Sequence, residues 1–492
     1  MNALVAALAL ATAGVDPAVH PVDAAHADAA ALAPAYRCEV RYLRLDEVPR
    51  KDRPAVVRVL NGHVQHLSTA SEVVPLTVVP GTDDALLRLN LGDYGDYRRL
   101  RVVWDQFRSP FDHVLVERLE DEEWGYWQNG QWIRTEVKKT KKVRVPAIAP
   151  WLADTPERAA KLAELVGWLD GTKAPILRAR WFFQQTAAAV DRTPNYYDFL
   201  GVKDEKTFQA LIGFREQKNR RRIQVREAVG VSGVTLEPRG LVREDAEGGA
   251  YWYSLDFKVA LDKTNPLRVL GDDIERAFRD PKIQAASEQY GHLPNGFWAT
   301  GAFNNKGERQ DTAPDFAASD NRSRSNDRRV HVNVSCVRCH RKAGLQDIDG
   351  WARNLFQPPL KLVSPDYDAL RVLRQQYLRR LEPFLARDRR QYAEALLDAN
   401  GMEPEAYADA YAALWEGYED AGVDLARAAA DLNTTPELVR KAIDRQIRIG
   451  GQVDPVLSVL LLEGERARRI PVRQWEEAVP LAHQILRGLQ TP

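Results

Sequence analysis

The sequence predicts an α+β protein, and three observations carry that reading. Short apolar runs suited to strands, with one Asn-Gly hairpin, fall between residues 28 and 150. Glycine-punctuated loops dominate 151–363 and surround a Cys-X-X-Cys-His motif. From 364 to 492 the apolar residues recur at helical spacing. The expected layout is an N-terminal mixed α/β region with a small sheet and hairpin, a loop-rich central region, and an all-α C-terminal region, preceded by a leader at 1–27.

The leader is small and apolar over 3–15, with Ala25-His26-Ala27 as a cleavage-type site, although no Lys or Arg precedes the apolar run. It reads as a signal peptide, which places the mature chain in the periplasm or otherwise outside the cytoplasm. Strands are expected at 41–45, 73–79 and 86–90. A helix is expected at 52–67, where Val56, Val57, Leu60, Val64 and Leu67 share a face. His63 and His66 on that helix are expected on a partly exposed face. Leu100, Val103 and Trp104 line a further helix. Trp124 to Ile133 forms a hairpin about Asn129-Gly130, a pair that accepts the positive φ angles of a tight type I′ turn. The acidic run 120–123 and the basic run 138–142 read as solvated charges.

Helices are next expected at 159–168, at 177–190 with Trp181, Phe182 and Phe183 on one face, and at 205–212. The Pro194 to Asp198 stretch between them reads as a loop. Arg215, Lys218, Arg220, Arg221, Arg222 and Arg226 form a basic stretch that either docks an acidic group or is simply solvated. A strand follows at 251–257. Phe297 to Phe303 then leads into an Asn304 to Gly307 turn. Ser364-Pro365-Asp366 has the chemistry of a helix start. Pro383 restarts that helix and Asn400-Gly401 ends it. Further helices begin at Pro404, Asp424, Thr435 and Pro471. The pair spanning 425–443 has the outline of a helix-turn-helix, but a plain helical hairpin is the simpler reading.

Function is concentrated in Cys336-Val337-Arg338-Cys339-His340. Two cysteines three apart share a helical face and can reach one porphyrin edge, while the adjacent imidazole can bind the iron. Cys336 and Cys339 are therefore expected as haem thioether anchors and His340 as the proximal axial ligand, with one covalent haem c. The chain has 3 cysteines in 492 residues, and 2 of them fall in this motif. Zinc would need a further donor, for which His331 is the candidate, and a redox CxxC would belong to a βαβ unit that is not evident here. Cys38 is the odd thiol, expected to be inert.

Charge and hydropathy exclude several classes. Lys plus Arg and Asp plus Glu are both 69, so no global basic field suggests nucleic acid. No apolar run in the mature chain is long enough for a transmembrane helix. No hydrolase triad, phosphate-binding glycine loop or paired-metal signature stands out.

The motifs in order resemble a family of large bacterial proteins of planctomycete type that carry a single c-type haem late in a long chain. The resemblance runs through Leu86-Leu87-Arg88-Leu89-Asn90 with Asp93-Tyr94-Gly95, and Arg178-Ala179-Arg180-Trp181-Phe182. It continues through Tyr197-Asp198-Phe199-Leu200-Gly201, Trp252 with Asp256-Phe257, and Leu293-Pro294-Asn295-Gly296. It ends at Ser335 to His340 and the helical tail, so it covers most of the mature chain. It implies an exported monohaem cytochrome-like protein and supplies no substrate.

The sixth iron position decides the chemistry. Met402, His292 and His331 are the candidates, or the position is open. Trp298, Trp351 and Phe356 are candidates to pack on the ring. Arg322, Arg324, Arg328 and Arg329 are candidates to pair with its propionates. The leading expectation is a carrier of single electrons working with a redox partner protein. The alternatives are a haem enzyme acting on peroxide or a small oxidised substrate, and a non-catalytic scaffold or sensor stabilised by haem or zinc.

Overall fold

A computed structural model describes residues 20–122, 125–128, 131–134, 139–189, 193–215, 224–229, 239–257, 283–313, 329–348, 350, 381–419, 422–432, 434–449, 454–462 and 469–490, with a few isolated positions between 268 and 280. Helices and sheets are both present, as the α+β class requires.

The N-terminal sheet is built around β1 (Val40–Arg44), buried along its whole length. With β2 (Thr77–Val78), β3 (Leu86–Asn90) and β8 (Ile176–Arg178) it forms a four-stranded sheet in the order β2-β3-β1-β8. β1 runs antiparallel to β3 and parallel to β8. Side chains alternate across a strand, so Tyr42 and Leu43 reach opposite faces. Val40, Tyr42, Leu86 and Ile176 pack with Val22 and Ala25 of α1 (Pro21–Ala31) and with Leu162 and Leu165 of α4 (Pro156–Trp168). Leu43, Leu87, Leu89 and Leu177 face α2 (Arg53–His66). Helix α3 (Tyr97–Trp104) buries Leu100, Val103 and Trp104, the three residues its spacing singled out.

The expected strand at 73–79 shrinks to the two residues of β2. The hairpin strands β5 (Gly125–Gln128) and β6 (Gln131–Arg134) pair antiparallel, while the Asn129-Gly130 turn lies outside the described residues. A longer ribbon encloses it: β4 (His113–Glu122) and β7 (Lys139–Ile148), with Glu120 opposite Lys141 and Glu122 opposite Lys139. The described parts of the acidic and basic runs are thus register partners.

Helix α5 (Ala179–Thr186) follows β8 directly and buries Trp181, Phe182 and Phe183. The expected loop at 194–198 contains instead the start of α6 (Tyr196–Leu200). Asn195 Oδ1 accepts from the Tyr197 amide, and the Asp198 carboxylate accepts from the Asn195 amide. Two short polar side chains close both orphan ends of the first turn. Helix α7 is Glu205–Leu211.

A five-stranded antiparallel meander follows, in the order β13-β12-β11-β10-β9. Its strands are β9 (Gln224–Val229), β10 (Arg239–Ala246), β11 (Gly249–Phe257), β12 (Gln284–His292) and β13 (Trp298–Asn304). The motif helix α8 (Val334–Cys339) packs on α10 (Pro404–Glu419). In turn α10 packs on α2 and α5, and α9 (Glu382–Asn400) packs on α2. Gly401, at φ +65, ends α9 in the left-handed cap that glycine supplies at low cost. Helix α11 (Leu425–Asp431) pairs with α12 (Pro436–Arg448) as a hairpin. α12 then lies on α14 (Val472–Gln490), which also receives α13 (Pro455–Val459). One buried apolar cluster includes Leu43, Trp298 and Trp475, so residues from all three expected regions share it. Among the described residues, no helix is long and apolar enough to cross a membrane.

Residues 1–19 of the expected 1–27 leader, the helix start at 364–366, Lys218, Arg220, Arg221, Arg222, Arg322, Arg324, Arg328, Trp351 and Phe356 lie outside the described residues, while Pro21 to Ala27 of that leader belong to α1.

Candidate haem site

The motif occupies a single short helix whose ends are fixed from outside. Asn333 precedes it at φ +73, a conformation uncommon for a side-chain-bearing residue. Its amide donates to Ala187 O at 2.8 Å and to the Tyr411 hydroxyl at 3.0 Å, which holds the backbone there. His340 N bonds to Cys336 O at 2.8 Å, and Gly344 N bonds to His340 O at 3.1 Å. The i,i+4 spacing puts Cys336 and His340 on one face. Arg338 pairs with Glu416 at 3.0 Å and Arg341 with Asp409 at 2.7 Å, which fastens the helix to α10.

That face borders a narrow cleft with room for about one water molecule, whose wall includes Cys336, His340, Tyr290, Trp298, His66 and Tyr392. That is far less room than a ligand cleft offers. His340 is 21% exposed and Arg341 40%, so this side meets solvent. Cys339 is buried on the same helix but does not border the cleft. Gly344, at φ +80, closes the turn after the motif: a Cβ there would stand 2.0 Å from Trp298 Cδ1, so the chain lies directly on the indole.

The polar groups around Cys336 form one network. The Tyr290 hydroxyl donates to Glu288 Oε1 at 2.6 Å and is within reach of the Cys336 thiol. Arg239 donates to Glu288 Oε2 at 3.0 Å, and His340 Nε2 stands 3.8 Å from Glu288 Oε1. The Tyr290 and His340 rings lie 4.5 Å apart. Burial works to raise the Glu288 pKa, but Arg239, His340 and Tyr290 outweigh it and hold the carboxyl below its usual range. Burial, with the Glu288 charge added, pushes the Cys336 thiol up to about 12. Such a group stays protonated at neutral pH in the metal-free chain and is a poor exchange nucleophile. A thioether carries no charge and is at ease in the same surroundings.

The three candidates for the sixth position do not border the cleft. Met402 is buried in the core, its amide held by Asn400 Oδ1 at 2.9 Å. His331 is half-buried, with its backbone amide on Ser335 Oγ at 3.0 Å and its ring 6.2 Å from Trp415. His292 uses both ring nitrogens: Nδ1 accepts from Ala250 N at 3.1 Å and Nε2 donates to Asp388 O at 3.2 Å. Trp298 does border the cleft and stacks on His292 at 3.7 Å. Arg329 is exposed and Cys38 is half-buried near the N-terminus.

His63 and His66 require a correction. Both are fully buried, because α9 and α10 cover the side of α2 that the sequence left to solvent. His63 binds the Tyr411 hydroxyl and Thr186 Oγ1 at 3.1 and 2.8 Å. His66 faces the cleft, its pKa lowered by burial to about 4.

Among the described residues, no three His, Cys, Asp or Glu side chains converge to hold a bare metal ion. A structural zinc site needs four such donors. A haem brings four nitrogens of its own and asks the chain for thiols and an axial imidazole, which is the donor set present. The donor types therefore match the group, while the space they border holds about one water molecule and leaves Cys339 outside its wall. Compared with protein-family models, curated proteins and solved structures, the chain matches none.

Proposed function

We propose that this is an exported monohaem c-type cytochrome-like protein that passes single electrons to and from a redox partner protein. The observation that carries the reading is that Cys336 and His340 border one aromatic-walled cleft, with Cys339 one helical turn away. Bound there, haem would supply an iron centre that alternates between ferrous and ferric states. Cys336 and Cys339 would anchor it by thioethers, and His340 would hold the iron. Tyr290, its ring tilted against that of His340 at 4.5 Å, and Glu288, 3.8 Å from its Nε2, would set that imidazole's orientation. Trp298 and Tyr392 exclude water from the inner wall, and a low-dielectric wall favours the less charged redox state.

The test is to produce the chain with cytochrome maturation machinery and stain a denaturing gel for haem. A stained band at full length with one iron per chain is expected, and the Cys336→Ala/Cys339→Ala double variant should be colourless. A colourless band from the unaltered chain overturns the proposal.

A further inference from the structure

The expected cleavage-type site Ala25-His26-Ala27 falls inside α1, and α1 is built into the core. Val22, Ala25 and Ala29 are fully buried. Their spacing puts them on one helical face, which packs with Val40, Tyr42, Leu86 and Ile176 of the N-terminal sheet and with Leu162 and Leu165 of α4. The polar positions of the same helix are committed as well. The Asp23 carboxylate accepts from Arg158 Nε at 2.9 Å and from Lys161 Nζ at 2.8 Å, both on α4. The Asp28 carboxylate accepts from the Tyr42 hydroxyl at 2.8 Å and from Arg88 Nη1 at 2.8 Å. His26 Nε2 stands 2.9 Å from Glu164, and its ring stacks on Trp168 at 4.8 Å. A chain that began at Asp28 would lose Val22, Ala24 and Ala25 from this core, together with the carboxylate that Arg158 and Lys161 share.

We propose that the export leader is cut upstream of Pro21, so that the whole of α1 stays in the mature chain and covers one face of the sheet. The inference rests on the export proposed above. The sequence offers such a cut. Ala11-Thr12-Ala13 follows directly on the apolar residues from Ala3 to Leu10 and repeats the small-X-small pattern of a cleavage site. Asp16, Pro17, His20, Pro21 and Asp23 separate that run from Ala25-His26-Ala27. The start of α1 also lies upstream of residue 25 and is specified there. His20 is its N-cap, with Nδ1 accepting from the Val22 amide at 3.3 Å. Pro21 takes the first helical position, where a missing N–H leaves no bond unmade. A cut at Ala27 would remove this start along with the buried face that follows it.

The experiment expresses the full chain in a bacterium and reads the N-terminus of the exported product by mass spectrometry. The product should begin upstream of Pro21, at Gly14 for a cut after Ala13. Ala27→Gln alters an exposed position of α1 and removes the small residue that a cut after Ala27 needs, so it should leave the processing unchanged. Val22→Ala opens space in the core beneath α1 and should lower the urea midpoint of the exported protein. A product that begins at Asp28, processing blocked by Ala27→Gln, or a Val22→Ala midpoint equal to that of the unaltered protein overturns the proposal while export stands. An uncut chain retained in the cytoplasm overturns the export reading itself, so the two failures are told apart.

Discussion

The Asn333 side-chain amide donates to the Tyr411 hydroxyl at 3.0 Å, and through that bond the motif helix is tied to α2. The donors then run one way. Tyr411 donates to His63 Nδ1 at 3.1 Å, His63 Nε2 donates to Thr186 Oγ1 at 2.8 Å, and Thr186 donates to Phe182 O at 2.7 Å. Each group uses its one available hydrogen, so the chain closes only in this direction. Tyr411→Phe removes the middle link and leaves His63 Nδ1 buried without a donor. An unsatisfied buried acceptor costs about 1–3 kcal/mol. Urea unfolding of the haem-free protein should show a loss of that size, and an unchanged midpoint would show the chain to be energetically idle.

Gly344 offers a test of the cleft wall with its own control. Gly344 and Gly171 both have positive φ, +80 and +73, but a Cβ at Gly171 would meet nothing within 4 Å. Gly171→Ala should therefore cost only the left-handed backbone strain, about 1 kcal/mol. Gly344→Ala adds a collision with the Trp298 ring, which is wedged between that turn and His292, and overpacking adds about 1–3 kcal/mol. Gly344→Ala should be the less stable of the two by thermal denaturation and should also incorporate less haem. Equal melting temperatures would mean that the turn yields without moving the indole.

Asp388 joins the meander to α9. Its carboxylate accepts from Arg243 Nε at 3.1 Å and Nη2 at 3.2 Å and from Trp252 Nε1 at 3.0 Å, and both charged partners are essentially unexposed. Removing one member of a buried pair strands the other charge, at about 3–5 kcal/mol. Arg243 also pairs with Asp245, so Asp388→Ala should fall near the lower bound. Asp388→Asn keeps an acceptor for Trp252 and should cost less. Guanidinium unfolding of both variants checks the order, and an asparagine variant as damaged as the alanine one would refute it.

What the sequence made legible followed local rules. Val56, Val57, Leu60 and Val64 recur at helical spacing, and the helix is there. Asn400-Gly401 promised a helix end, and Gly401 supplies it. Strand β12 was not expected, because Glu288 and Gln289 interrupt any apolar run at 284–292. They are paired inside the fold, by Arg239 and by Glu205 and Tyr251, so polarity along the chain did not mean solvent. The motif helix was legible from five residues. The burial of His66 was not, because it is made by contacts such as those to Trp298 and Tyr392, 232 and 326 positions away. A contact at that separation leaves no trace in the spacing of neighbours.

Acid should loosen the haem-free fold well before its carboxylates are lost. Burial lowers the His292 pKa to about 4 and the His483 pKa to about 3, and it drives His63 well below its ordinary 6.5. Between roughly pH 4 and 6.5 the unfolded chain binds protons at these three sites and the folded chain does not, so stability falls as pH falls through that window. Glu47 works the other way: burial and the neighbouring Asp46 charge raise its pKa to about 7, so near pH 5.5 the folded state holds one proton more than the unfolded state. With His66, whose pKa burial also lowers to about 4, four protons favour unfolding against one opposing it, a net of three or roughly 4 kcal/mol of stability per pH unit. The urea midpoint should drop steeply from pH 6.5 to 5. His483→Gln, which removes one titrating group beside the stacked Trp151, should shallow that slope by about a third, since it leaves a net of two protons. A midpoint that stays level across the window would mean that these imidazoles are already protonated in the folded chain.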